Sequence, residues 1–260
     1  MGSLLLRFLA FALASGLCGC GVDPPIDHSI SAASQDSRIQ FIVIHFTSTD
    51  FDEALAILGN GPVSSHYLVR DDPVAIYQLV DDNQRAWHAG ESSWQGITQL
   101  NASSIGIEIV NRGDRDGAWH DYPPAQIDAV VALVKRLARQ YHVRPDHIVG
   151  HSDIAPQRKL DPGPRFPWKR LADEGLVPWP DAVGVLAKRV EYGANLPQAS
   201  WFQERLQKLG YAVPRTGVVD PETQRVIAAF QMKYRPRLFD GIPDAETAAI
   251  LDSLAEVWLD

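Results

Sequence analysis

Residues 39–46 (IQFIVIHF) form a nearly continuous apolar run, broken early only by Gln40 and rich in β-branched side chains. Such a run predicts a strand buried on both faces, with His45 near its end at the sheet rim. Thr47, Ser48, Thr49 and Asp50 then offer an N-cap for a short helix over 51–58, which Gly59-Asn60-Gly61 closes. Residues 66–70 and 74–80, parted by Asp71-Asp72-Pro73, predict a strand-turn-strand unit. In 104–110 (SIGIEIV) the period-two pattern puts Ile105, Ile107 and Ile109 on one face and Gly106, Glu108 and Val110 on the other. Pro123-Pro124 opens an amphipathic helix reaching Tyr141, with Ile127, Val130, Val131, Val134, Leu137 and Ala138 as its apolar stripe. His142 complements the dipole at its C-terminus, and 147–150 is a further short strand.

After Phe166 the pattern loosens. Residues 167–171 can begin a short helix, and Pro178-Trp179-Pro180 reads as a stiff, irregular connection. Three helices follow, over 199–208, 221–231 and 243–254, enough for a bundle near the lower size limit for independent folding. The expected fold is α/β: a mixed central β-sheet flanked by helices, plus a small C-terminal three-helix domain. The domain boundaries expected are 37–180 for the sheet domain, 181–196 for a linker and 197–257 for the bundle.

The first twenty residues are Leu- and Ala-rich with Arg7 as the only charge, too short for a comfortable membrane span and suited to a secretory signal. Leu17-Cys18-Gly19-Cys20 resembles the bacterial lipobox. Cys20, preceded by the small Gly19, is the candidate for lipidation, so 1–19 is expected as signal and 20–36 as lipidated cysteine and tether. Gly21 stands where inner-membrane lipoproteins commonly carry Asp, which predicts an outer-membrane anchor facing the periplasm. Both cysteines of the chain lie in this segment, so the remainder has neither a disulfide nor a thiolate to offer a metal. The formal net charge of -8 gives no attraction to nucleic acid, which is discounted as a partner.

The chemistry concentrates in 149–166 (VGHSDIAPQRKLDPGPRF), where Pro156, Pro162 and Pro164 stiffen a loop carrying His151, Lys159 and Asp161. Two His and one Asp suffice for a catalytic zinc whose fourth position stays open, and with no Cys available His45, His151 and Asp161 are the simplest ligand set. There is no H-E-x-x-H helix to support it. Glu108, isolated among aliphatics, is either the wet-side residue of a half-exposed strand or a desolvated general base. Trp87, His88 and Arg70 are candidates for substrate contact, against the alternative of a packed Trp with a hydrogen-bonded His.

The strand-end His45, the segment IGIEIVN and the motif GHSDIAPQRKLDPGP together resemble the zinc-dependent N-acetylmuramoyl-L-alanine amidases of the AmpD and AmiD type, over roughly residues 37–180. The C-terminal unit is similar to the three-helix peptidoglycan-binding domain through Gly217, Asp220, Thr223, Ala229, Phe230 and Gln231. The resemblance implies an amidase and peptidoglycan-recognition type of sheet domain, with Zn2+ held by His45, His151 and Asp161. It further implies Glu108 as general base and Lys159 steadying the oxyanion. Peptidoglycan and muropeptides would be the partners, and the bond between N-acetylmuramic acid and L-Ala of the stem peptide would be cut. A non-catalytic recognition module and a zinc peptidase acting within the stem are the competing readings.

Overall fold

The computed structural model describes residues 26–259. The apolar run and Cys20, read as signal and lipidation site, lie outside the described residues. The chain divides into two units, Met1–Asp36 and Ser37–Asp260. Within the first, residues 26–36 form neither helix nor strand. No helix among the described residues is long and apolar enough to cross a membrane.

The second unit runs in chain order β1 (Phe41–Phe46), α1 (Phe51–Asn60), β2 (Tyr67–Arg70), β3 (Ala75–Gln78), β4 (Ser93–Trp94), β5 (Ile97–Thr98), β6 (Ser104–Ile109), β7 (Asp114–Arg115) and β8 (Ala118–Trp119). It continues through α2 (Pro124–Tyr141), β9 (Ile148–Gly150), α3 (His151–Ile154), α4 (Trp168–Asp173), α5 (Ala182–Ala194), α6 (Ala199–Leu209), α7 (Pro221–Tyr234) and α8 (Ala245–Leu259). Five strands form one sheet in the order β3-β2-β6-β1-β9. Within this sheet β1 is parallel to both β6 and β9, β2 is parallel to β6, and β2–β3 is antiparallel.

The two faces of β1 explain its continuous apolar run. Ile42 and Ile44 point into a core that includes Ile105, Ile107 and Ile109 of β6 and Val130, Val134 and Leu137 of α2. Phe41 and Val43 point the other way, into a second core with Val149, Ile154 and Phe202, Leu206, Phe230 and Leu254 of the C-terminal helices. A strand covered on both sides has no wet face, so alternation disappears from its sequence. His45 continues the Phe41, Val43 parity and therefore projects on the side of the C-terminal helices.

The mixed sheet flanked by helices is the expected architecture. Most of the stretch 181–196, expected as a linker, is helical: α5 spans Ala182–Ala194, capped by the Asp181 carboxylate accepting from the Gly184 N–H at 2.6 Å. It packs on α8, where Lys188 pairs with Asp252 at 2.6 Å and the Asp181 N–H donates to Ser253 Oγ at 3.2 Å. Gly184 and Gly193 weaken its propensity, and Val183, Leu186 and Val190 stand exposed, so its pattern carries no single apolar stripe. The three helices expected after it are therefore joined by a fourth, and the group shares a core with the sheet rather than hanging from it.

Candidate metal centre and active site

Parallel pairing sets His45 of β1 directly opposite Glu108 of β6, so both side chains leave the sheet on the same face. β9 delivers His151 at the first position of α3, and the loop that follows returns Asp161 to it. The Ser152 N–H donates to the Asp161 carbonyl at 2.8 Å, closing that loop, and Tyr122 Oη donates to the Pro162 carbonyl at 2.8 Å. His45, His151 and Asp161 are all buried.

Their side chains converge. His45 Nδ1 lies 2.9 Å from His151 Nδ1, and each of these nitrogens lies 3.0 Å from Asp161 Oδ2. The proton positions follow from the outer partners. His151 Nε2 is 3.0 Å from the Ala89 carbonyl, which can only accept, so the proton sits on Nε2 and the Nδ1 lone pair faces inward. Behind His45, Ser104 Oγ donates to the Leu100 carbonyl at 2.5 Å and accepts from His88 Nε2 at 3.1 Å. His88 Nδ1 is then an acceptor for His45 Nε2, 3.0 Å away, which again leaves an Nδ1 lone pair facing inward. Two imidazole lone pairs and a carboxylate oxygen thus meet with no donor among them. Such a cluster is repulsive unless a cation is shared, and all three ligand atoms lie within 4.8 Å of one another. Ligand atoms bound at about 2.0–2.1 Å to a tetrahedral ion sit about 3.3 Å apart, so the donor set and its spacing fit zinc.

The electrostatics agree. Burial, with the His151 ring beside it, pushes His45 down to about 4, keeping it neutral. Burial opposes ionisation of Asp161, and its carboxyl is held well below the usual carboxylate range only where positive charge sits at the facing His151 and His45 nitrogens; with both imidazoles neutral and their lone pairs inward, a shared cation would supply that charge. Glu108 goes the other way: burial, with Asp161 nearby, raises it well above that range, against a downward pull from Lys159. Its Oε1 is 4.0 Å from His45 Nδ1, and its buried Oε2 has no hydrogen-bond partner among the described residues. A buried carboxylate oxygen left unpaired beside a ligand cluster is placed to take a proton.

A cavity of about 400 Å³ opens on this cluster, lined by Thr47, Ile57, Val63, Trp87, Arg158 and Lys159 among others. Trp87 is half exposed at the cavity, with the Arg85 guanidinium 4.1 Å over its ring. Of the two other residues expected to touch substrate, His88 also lines the cavity and Arg70 does not. Both His88 nitrogens are used inside the protein, so it steadies His45. Arg70 lies outside the cavity, its guanidinium 4.5 Å over the Phe51 ring and its Nε donating to the Asp72 carbonyl at 2.9 Å. Sequence reasoning missed Ser104 and Arg158. Ser104 shares the parity of Gly106 and Glu108, the one sign available in the sequence, and a Cβ on Gly106 would sit 2.5 Å from the His88 ring. Arg158 donates from Nε to the Glu91 carbonyl at 3.1 Å and from Nη2 to the Ala89 carbonyl, tying that segment to the metal loop.

This fold and site define a class. The sequence model of the N-acetylmuramoyl-L-alanine amidase family matches residues 35–164, a model of a peptidoglycan binding domain matches residues 195–251, and the chain belongs to that amidase family. It is 44% identical to the N-acetylmuramoyl-L-alanine amidase AmiD of Escherichia coli K12 over 96% of this chain and 98% of that protein. The solved AmiD of E. coli, in complex with the substrate anhydro-N-acetylmuramic acid-L-Ala-D-gamma-Glu-L-Lys, superposes with a TM-score of 0.80 at 42% identity, covering 90% of this chain and 95% of that one. AmpDh3 of Pseudomonas aeruginosa, in complex with anhydromuramic pentapeptide, gives a TM-score of 0.85 at 37% identity, covering 90% and 98%.

Proposed function

We propose that this chain is a zinc-dependent amidase that hydrolyses the bond joining the lactyl carbonyl of N-acetylmuramic acid, or its anhydro form, to L-Ala of the stem peptide, in wall turnover and recycling. The observation that carries the reading is the meeting of three acceptor atoms, from His45, His151 and Asp161, beside the unpaired carboxylate oxygen of Glu108. Those three residues would hold the zinc. When bound, zinc supplies Lewis acidity that lowers the pKa of water and polarises a carbonyl. Glu108 takes the proton from the attacking water and hands it to the leaving amine, a role its raised pKa suits. Lys159, lining the same cavity, offsets the negative charge that develops on the carbonyl oxygen. Trp87, half exposed at the rim, offers an apolar face to the sugar or peptide.

The family match and the muramyl peptides bound to the two solved relatives support this substrate class. Mass spectrometry of an anhydromuropeptide digest tests it. Release of a peptide beginning with L-Ala is expected. Cleavage inside the stem would replace the amidase by a peptidase, and binding without release would leave a recognition module.

Residues 195–251 hold peptidoglycan, and the lipobox-like Cys20 anchors the enzyme to the outer membrane on its periplasmic face. Cys20→Ser should move the protein from the membrane fraction to the soluble periplasm. Retention in the membrane fraction would refute the anchor.

A further inference from the structure

The segment that carries His151 is gripped from behind by the C-terminal helices. Asp153, two residues beyond His151 in α3, is 1% exposed and its carboxylate accepts three hydrogen bonds. The Gly150 N–H and Lys233 Nζ each reach Oδ2 at 2.8 Å, and Tyr211 Oη reaches Oδ1 at 2.7 Å. Gly150 is the turn at which β9 stops and His151 begins. Lys233 belongs to α7 and Tyr211 follows α6, so two of the three donors come from the region matched to the peptidoglycan binding domain.

These donors are themselves held. The Lys233 side chain is 5% exposed, and its ammonium sits 4.2 Å over the Trp168 ring. Tyr211 packs edge-on against Trp94 with centroids 4.8 Å apart. A second tie lies further along the loop, where Gln157 Nε2 donates to the Glu222 carbonyl at 3.0 Å.

A buried ion pair seldom stabilises a protein more than apolar side chains of the same volume would, whereas it does fix geometry and register. Here the geometry fixed is the start of α3. The Asp153 carboxylate holds the Gly150 N–H, Gly150 packs where a Cβ would come 2.7 Å from Pro162 Cδ, and Pro162 adjoins Asp161. One carboxylate therefore sets the turn from which His151 departs and against which the Asp161 segment rests. We propose that Lys233, with Tyr211, is a positioning residue for the metal site: the C-terminal helices, besides holding wall material, complete the support that aims His151 and Asp161. This rests on the zinc reading above.

Zinc affinity of the full chain, measured by competition with a chromophoric chelator, tests the proposal. Wild-type protein must first take up zinc; if it takes none, the zinc reading fails and the positioning role with it. Given wild-type binding, Lys233→Met should weaken zinc affinity about tenfold, at the low end for a residue outside the ligand set because it acts through Asp153. Leu254→Ala, in the same core but away from Asp153, is the control for general destabilisation: it should lower the melting temperature and leave zinc affinity within about twofold. Equal affinity in Lys233→Met and wild type overturns the proposal, as does an equal loss in the control. If Lys233→Met does not fold, Tyr211→Phe decides, since it removes one hydroxyl and little else. An affinity lowered about threefold or more supports the positioning role, and an unchanged one overturns it.

Discussion

His45 and Glu108 are direct partners across two parallel strands, and their side chains approach to 4.0 Å between Nδ1 and Oε1. The distance is too long for a hydrogen bond, so Glu108 is beside the ligand set without belonging to it. Glu108→Gln should therefore keep its zinc while turnover of anhydromuropeptide falls by about 10²–10⁴-fold, the usual worth of a general base. Metal content by mass spectrometry and a rate assay on the same sample check both halves; loss of zinc in the variant would make Glu108 a ligand.

The same residue should cost stability. Its folded pKa is raised above the ordinary 4.5, chiefly by burial, so the folded chain holds its proton where the unfolded chain has lost it. Stability then declines as pH rises from about 4.5 towards the folded pKa, at up to about 1.4 kcal/mol per pH unit. The Gln variant lacks this penalty. In chelator-treated protein, Glu108→Gln should be more stable than wild type above about pH 5, with the gap widening as pH rises and closing near pH 4.5. Denaturant titration across that range checks the sign.

His88 transmits the Ser104 hydrogen bond to His45, and Gly106 leaves the room its ring needs. His88→Phe keeps the volume of the ring while removing both nitrogens, so His45 loses the acceptor that fixes its tautomer. Zinc affinity should fall about 10- to 100-fold. Gly106→Ala should act in the same direction by displacing the His88 ring. Chelator competition on both variants checks this; undiminished affinity in His88→Phe would return that residue to a packing role.

What the sequence made legible has a common physical cause. β1 could be read because burial on both faces erases alternation over a whole strand, and Glu108 because a carboxylate stands out among Ile105, Ile107 and Ile109. His151 and Asp161 were legible because one proline-rich loop carries both. His88 could be read only as a pair of alternatives because a Trp-His pair reads alike whether the ring faces a groove or a neighbouring histidine 43 positions away. The tie between Asp153 and Lys233 spans 80 positions and joins two regions with no shared periodicity, so local pattern holds no trace of it. Helix α5 escaped for a different reason: it lies along α8 with none of its own residues buried, so no buried apolar stripe marks it in the sequence.

The shared core makes a prediction about truncation. Phe41, Val43, Val149 and Ile154 of the sheet domain are each 2% exposed or less, and all four sit in the core completed by α6, α7 and α8. Ending the chain at residue 180 would lay them open. At about 1.5–3 kcal/mol for each large apolar side chain, the loss is about 6–12 kcal/mol, comparable with the whole net stability of a typical domain at about 5–15 kcal/mol. Residues 26–180 alone should therefore lack a sharp thermal transition and bind a hydrophobic dye such as ANS, whereas residues 26–260 should melt cooperatively. Calorimetry and dye fluorescence on the two chains decide the matter. A soluble, cooperatively melting 26–180 fragment would show that the sheet face can be closed without the C-terminal helices, and would make them a detachable binding module.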